Sequence, residues 1–301
     1  MPDGLITGLR GVDLGVADVA ASAAFFGGPW GLERVAERAG SVYLRGTGPC
    51  HHILALHPRA EAALLCINLS AADRAAVDAL HARVAAAGAA RIAPPAPLDA
   101  PGGGYAFAFA DPDGRVVRVI AGDARHADAA PRPDRPAKIT HLVLNTPRQE
   151  AAAEFWVRAL GFEVSDRSLL TFIRCNDEHH NIAFHPGEDS TLHHIAFEMD
   201  GIDSVMRGAG RMRDRGRPVE WGPGRHGPGN NVFTYFVGPE GFVIEYTAEV
   251  QRVDAAYRPR EPREWAYPPG HSDLWGATPP PSERMKSAQK KIRFAAGAFP
   301  P

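Results

Sequence analysis

Three side chains in this sequence have the types and spacing to hold a metal ion. His141 lies in ITHLVL, His194 in LHHIAFEM and Glu245 in FVIEY. Each of these segments reads as a buried β-strand, short, apolar and rich in β-branched or aromatic residues. Two imidazoles and one carboxylate converging from separate strands make a 2-His-1-carboxylate facial triad. Such a triad grips Fe(II) on one face and leaves the opposite positions open for a substrate and O2. The expected chemistry is metal-centred, on a small molecule.

The elements that must position these ligands recur along the chain with a period near 130 residues. Gly11-Val12-Asp13-Leu14 matches His141-Leu142-Val143-Leu144, Phe25-Phe26 matches Phe155-Trp156, and Gly31-Leu32 matches Gly161-Phe162. HHILALHP, from His51 to Pro58, matches HHNIAFHP, from His179 to Pro186, and DPDG at Asp111 matches GPEG at Gly238. Small drifts in the offset are what loop insertions leave in a duplicated domain. Each copy reads as strand, helix, then several strands, with PRQEAAAEFWVRAL and IDSVMRGAGRMRDRG as the helices of the second copy and GPEG as a tight turn. The division is 5–125 for the first domain, a proline-rich linker over 126–137, 138–250 for the second, and a proline-rich extension over 251–301. At one offset Gly11 and Leu64 stand opposite His141 and His194, and at the offset of the DPDG and GPEG turns Arg118 stands opposite Glu245. Only the second copy is expected to hold metal. A histidine on a strand is ordinarily a satisfied core side chain; three ligands present in one copy and absent from the other argue against that for this set.

Composition narrows the function classes. Hydrophobic residues make up 45% of 301 residues, enough for a sizeable core. Lys and Arg number 33 against 35 Asp and Glu, a net charge of −2, which points to neither nucleic acid nor an anionic membrane as partner. Cys50, Cys66 and Cys175 show no CxxC spacing, and an odd count suits reduced thiols in the cytoplasm. The opening MPDGLITGLRG lacks the basic-then-apolar pattern of a signal peptide, and no run of about 18 apolar residues marks a membrane helix.

The ligand pattern resembles that of the type I extradiol ring-cleavage dioxygenases of the vicinal oxygen chelate superfamily, over roughly residues 5–250. The family's signature near the third ligand appears here as His226-GPGNNVFT-Tyr235-FV-Gly238-Pro239-EGFVI-Glu245. It departs from the strict form at Thr234 and Gly238. Gly238 belongs to a turn, and Thr234 faces away from the metal if Tyr235 faces it, because neighbours on a strand point to opposite faces. The resemblance implies an α+β fold of two tandem domains, each a pair of βαβββ modules curving as a mixed sheet around a cavity. It implies Fe(II), with Mn(II) as the alternative, held by His141, His194 and Glu245. It implies that His180 is an acid/base histidine and that His226 and Tyr235 contact substrate and oxygen. The partners implied are a catechol-type diol, O2 and further copies of the chain in a homo-oligomer.

Such an enzyme would cleave the ring beside the diol and give a ring-opened semialdehyde or keto acid. Each role has a plainer rival. His180 sits in a doublet that the metal-free copy shares as His51-His52; Tyr235 suits a core aromatic, and His226 a loop histidine. By strand alternation His179 and His193 point away from the site. Phe172, Trp156 and Phe233 read as core. Two other classes are open: a glyoxalase-like isomerase, epimerase or thiol transferase, and a binding protein without catalysis. The trio His180, His226 and Tyr235 argues against the first, and the complete triad against the second. The tail segment EPREWAYPPGHSDLWG carries Trp265, Tyr267 and Trp275; that density of aromatics predicts packing onto the protein, over the site or across a subunit contact.

Overall fold

The computed structural model describes residues 2–265, 267 and 269–295, with the backbone alone at 90–92. The first repeat runs β1 (Ile6–Val16), α1 (Val19–Gly27), β2 (Glu33–Arg38), β3 (Ser41–Arg45), β4 (Leu54–Pro58), β5 (Ala63–Ala71), α2 (Arg74–Ala86), β6 (Ala90–Pro97), β7 (Tyr105–Ala110) and β8 (Val116–Ala121). The second runs β9 (Lys138–Thr146), α3 (Gln149–Leu160), β10 (Glu163–Arg167), β11 (Thr171–Arg174), β12 (Ile182–Pro186), β13 (Thr191–Glu198), α4 (Ile202–Asp214), β14 (Trp221–Arg225), β15 (Val232–Val237) and β16 (Val243–Ala248). The architecture is α+β: two repeats, each with two βαβββ modules in one mixed sheet.

Pairing shows how the modules join. In the second repeat β9 lies parallel to β12 and antiparallel to β13, and β13 lies parallel to β16. The first-repeat strands β1, β4, β5 and β8 pair in the same way. A parallel neighbour needs a crossover, and each helix supplies one. One face of each sheet is buried against the helices. The other carries the polar and catalytic candidates.

Local sequence explains the helices. Asp18 and Asp73 cap α1 and α2 by accepting from Ala21 N and Ala76 N, and α3 ends at Gly161 in the left-handed conformation. The core face of α3 buries Phe155, Trp156 and Leu160. The repeats meet through aromatic packing: the Trp30 ring stacks on Tyr246 at 3.8 Å between centroids and meets Phe197 edge-on at 5.2 Å. Tyr246 Oη donates to the Trp30 carbonyl at 2.7 Å, so the strand carrying Glu245 is backed by the first repeat.

The described part of the tail packs onto the protein. It adds α5 (Glu283–Ala288) and β17 (Ile292–Phe294). β17 pairs antiparallel with β13 and parallel with β5, so it joins the sheets of the two repeats. Met285 and Ala288 of α5 pack with Phe233, Tyr235 and Val243 on the face of the second sheet that carries Glu245. Among the described residues, no helix is long and apolar enough to cross a membrane.

Candidate metal centre

One cross-strand rung builds the site. His141 on β9 pairs with Ala196 on β13, Ala196 with Glu245 on β16, and Glu245 with Tyr235 on β15. Residues on one rung share a face. His194, two residues before Ala196, shares that face too, while the small Ala196 side chain leaves room between its neighbours. His141, His194 and Glu245 are all buried. Glu245 Oε2 lies 3.1 Å from His194 Nε2 and 3.3 Å from His141 Nε2, and the two imidazole nitrogens are 3.4 Å apart.

These separations fit a metal ion. Adjacent ligands about 2.1 Å from one ion stand about 3 Å from each other. The three ligand atoms all lie within 4.8 Å of one another, and among the described residues no other cluster of His, Cys, Asp or Glu has this arrangement. Glu245 Oε2 is buried without a hydrogen-bond partner, which a cation would satisfy. Burial alone would raise the Glu245 carboxyl, but the flanking imidazoles outweigh it and hold it well below the usual range. Burial also lowers His194, leaving a neutral imidazole, the form that ligates. Supporting bonds orient the set: Asn231 Nδ2 reaches Glu245 Oε1 at 3.4 Å and Thr247 Oγ1 at 2.8 Å, and His193 Nδ1 lies 2.7 Å from His194 Nδ1.

His180, His226 and Tyr235 lie around this centre. The His180 ring is 4.3 Å from that of His141, with the Phe172 edge against it at 5.1 Å. The Tyr235 ring meets His194 edge-on at 5.1 Å, and Tyr235 Oη is 2.9 Å from His226 Nε2. Burial lowers His180 well below its ordinary value, reinforced by the surrounding histidines, and lowers His226 to about 4. It raises the Tyr235 phenol well above its ordinary value, with the Glu245 charge adding to the effect. At neutral pH the three are therefore uncharged, one phenol and two imidazoles able to give or take a proton.

Three details depart from the sequence reading, and a fourth extends it. First, Ile67 pairs with Val117 as Ile195 pairs with Ile244, so the residue equivalent to His194 is Cys66 and not Leu64. The offset shifts by two across the intervening loops. The first repeat still has no triad: a side chain at Gly11 would meet the Ile53 carbonyl oxygen at 2.4 Å, and Arg118 pairs with Asp13 at 3.3 Å. Second, His193 and His179 do not turn away from their neighbours. A bulge lies between Leu192 and His194, and both Leu192 and Ile195 face the core, so His193 and His194 must share the other side. His179 and His180 precede β12 in a loop, where strand alternation does not operate. Third, Phe172 and Phe233 are buried yet pack on site histidines; Phe233 stacks on His226 at 4.0 Å. Trp156 is core, as expected. Fourth, the tail reaches the site's rim. Tyr267 Oη accepts from Gly227 N at 3.1 Å, and a side chain at Gly227 would meet the Trp265 ring at 3.1 Å. The aromatic density of the segment was the signal for this contact.

Comparisons with known proteins agree with this architecture. The sequence profile of the Glyoxalase/Bleomycin resistance protein/Dioxygenase superfamily matches residues 8–119 and 138–246. The chain is 30% identical over 171 residues to metapyrocatechase 2 of Cupriavidus necator, covering 49% of this chain and 53% of that protein. It is 27% identical over 169 residues to an iron-dependent extradiol dioxygenase of Rhodococcus jostii, covering 48% and 56%. The chain thus spans about half the length of these curated relatives. The crystal structure of a Mn(II)-bound glyoxalase from Novosphingobium aromaticivorans matches with a TM-score of 0.86 and 38% identity, over 98% of this chain and 96% of that one.

Proposed function

From the premise that this chain belongs to the glyoxalase/bleomycin resistance protein/dioxygenase superfamily, we propose that it cleaves a catechol-type ring beside its two hydroxyls, using Fe(II) and O2. One observation carries the reading: a buried pair of imidazoles and a carboxylate is flanked by a buried histidine, His180, and by the hydrogen-bonded pair His226–Tyr235.

His141, His194 and Glu245 would hold the ion, whose open positions would bring the diol and O2 together and make a hydroxyl more acidic. The protein supplies the rest. Neutral His180 accepts a proton from a catechol hydroxyl and returns it to an oxygen atom as the O–O bond breaks. Tyr235, kept as a phenol by burial, and His226 beside it offer hydrogen bonds to oxygen atoms gaining negative charge. Phe172, Val143 and Ala183 form an apolar cluster near His180 that excludes water from that side. Both oxygen atoms end in the ring-opened product, so no external reductant is consumed. The three cysteines are free, which suits a reducing cytoplasm.

A second reading has its own observation. The 38% identity to a glyoxalase extends over nearly the whole chain, and a glyoxalase-type isomerisation consumes no O2. The same donor set also suits Mn(II). Anaerobic loading with Fe(II) or Mn(II), followed by a panel of catechols, separates the readings. O2 uptake with a yellow ring-fission product is the expected result, with Fe(II) the more active metal. Isomerisation of a thiohemiacetal without O2 uptake on any catechol would overturn the proposal.

A further inference from the structure

Asp166, on β10, is wholly buried and takes no part in the steps above. Its Oδ2 lies 2.7 Å from His179 Nε2 and accepts from Tyr257 Oη at 2.8 Å; its Oδ1 accepts from Arg260 N at 2.7 Å. Tyr257 and Arg260 belong to the tail. His179 Nδ1 in turn lies 3.0 Å from His180 Nδ1. An unbroken line of hydrogen bonds therefore runs from the tail through Asp166 and His179 to His180.

The proton positions along this line follow from donor and acceptor capacity. An ionised carboxylate only accepts. Burial would raise Asp166, but hydrogen bonds from His179, Arg260 and Tyr257 hold it below its ordinary value. His179 must then carry its hydrogen on Nε2. Burial keeps His179 neutral, so its Nδ1 is a bare acceptor. The 3.0 Å contact needs one hydrogen, which must come from His180 Nδ1. The remaining His180 nitrogen, Nε2, has no hydrogen and is the basic atom.

The first repeat provides a natural control. Its doublet has the same Nδ1–Nδ1 contact, 3.0 Å between His51 and His52. Asp166 pairs with Phe172 as Ala36 pairs with Tyr43, so the residue equivalent to Asp166 is Ala36. The repeat without metal ligands also lacks the carboxylate.

We propose that Asp166 and His179 are positioning residues that fix His180 as the Nδ1–H tautomer, leaving Nε2 as the atom that exchanges a proton with substrate. This rests on the acid/base reading of His180 above. The arrangement uses the logic of a carboxylate that orients an imidazole for general-base work.

The direct test is a two-bond ¹H–¹⁵N correlation spectrum of the metal-free protein labelled with ¹⁵N-histidine, with the His180 signal identified through His180→Asn. Protonated Nδ1 and bare Nε2 are expected; a hydrogen on Nε2 overturns the proposal even if the Asp166 and His179 variants do not fold. Kinetics supply a second test. Asp166→Asn and His179→Phe should lower kcat by about 10–100-fold, the scale for lost orienting groups, with KM and metal content unchanged. His179→Asn, whose Oδ1 stands near the lost Nδ1, should recover most of that activity. Asp166→Asn added to His180→Asn should cost nothing more, because residues acting as one unit are not additive. A further full loss in the double variant overturns the positioning role. Normal turnover by His180→Asn alone removes the acid/base reading on which the role depends, a result distinguishable from the others.

Discussion

Replacing Glu245 by Gln tests the metal centre most directly. The substitution keeps the shape of a wholly buried side chain and removes the triad's only carboxylate. A ligand that binds only the folded state at a hundred times its Kd adds about 2.7 kcal/mol of stability. Unfolding entropy near 2.1 cal/mol/K per residue amounts to about 0.6 kcal/mol/K for 301 residues. Saturating Fe(II) or Mn(II) should therefore raise Tm by about 4 °C if the chain melts as one unit. An amide oxygen is a much weaker ligand than a carboxylate, and the variant also loses the negative charge that draws a cation into a buried site. In Glu245→Gln the same metal concentration should move Tm by less than about 1 °C, the scale left when [L]/Kd falls below about 1. Differential scanning calorimetry under anaerobic conditions reads both shifts, and circular dichroism checks that the variant keeps its strand and helix content. Equal shifts in the two proteins would refute the argument that Glu245 holds the ion.

Three further outcomes follow from the geometry. Elemental analysis of metal-loaded protein should find one tightly held ion per chain, because Gly11, Cys66 and the Arg118–Asp13 pair occupy the equivalent positions in the first repeat; two ions would contradict this. His180→Phe should retain metal and bind catechol while ring cleavage falls by about 10²–10⁴-fold in stopped-flow assays, the range for lost acid–base catalysis; near-wild-type turnover would return His180 to a packing role. Trp265→Ala removes the ring that lies against Gly227, beside His226, so KM for catechol should rise while the urea midpoint changes little, and an unchanged KM would rule out a cover over the site.

The sequence exposed the second repeat's candidate ligands because regular strands preserve a rule that can be read without coordinates. His141, Glu245 and Tyr235 meet on one rung, with Ala196 among them, and each is on the face that strand alternation assigns it. Thr234 is opposite Tyr246 and bonds back to the Phe233 carbonyl, away from the metal face, as its neighbour's direction required. The same rule failed where the backbone stops being regular. Leu64 replaced Cys66 in the sequence alignment because loops of unequal length shift the offset between β1 and β5. Pairing register restores it, in agreement with the later offset of the His51 and His179 segments. Phe172 and Phe233 read as core because hydrophobicity marks burial and does not distinguish a core wall from a site wall.

The histidine doublets show what an irregular backbone adds. In a regular strand, a ligand and the group supporting it from the same face must be two residues apart. A bulge removes that requirement. Leu192 and Ile195 both point into the core, so His193 and His194 occupy the space between them on one side and meet through Nδ1. His194 can then direct Nε2 toward Glu245 while His193 holds the opposite nitrogen. His179 and His180 reach the same relation from a loop, with Asp166 beyond them. Two different backbone irregularities thus give adjacent histidines a division of labour, one facing the centre and one bracing it. The first repeat has the His51–His52 doublet without the triad or the carboxylate. A doublet alone is therefore a structural habit of this strand–loop unit, and in the second repeat neighbouring strands add the triad and the carboxylate beside it.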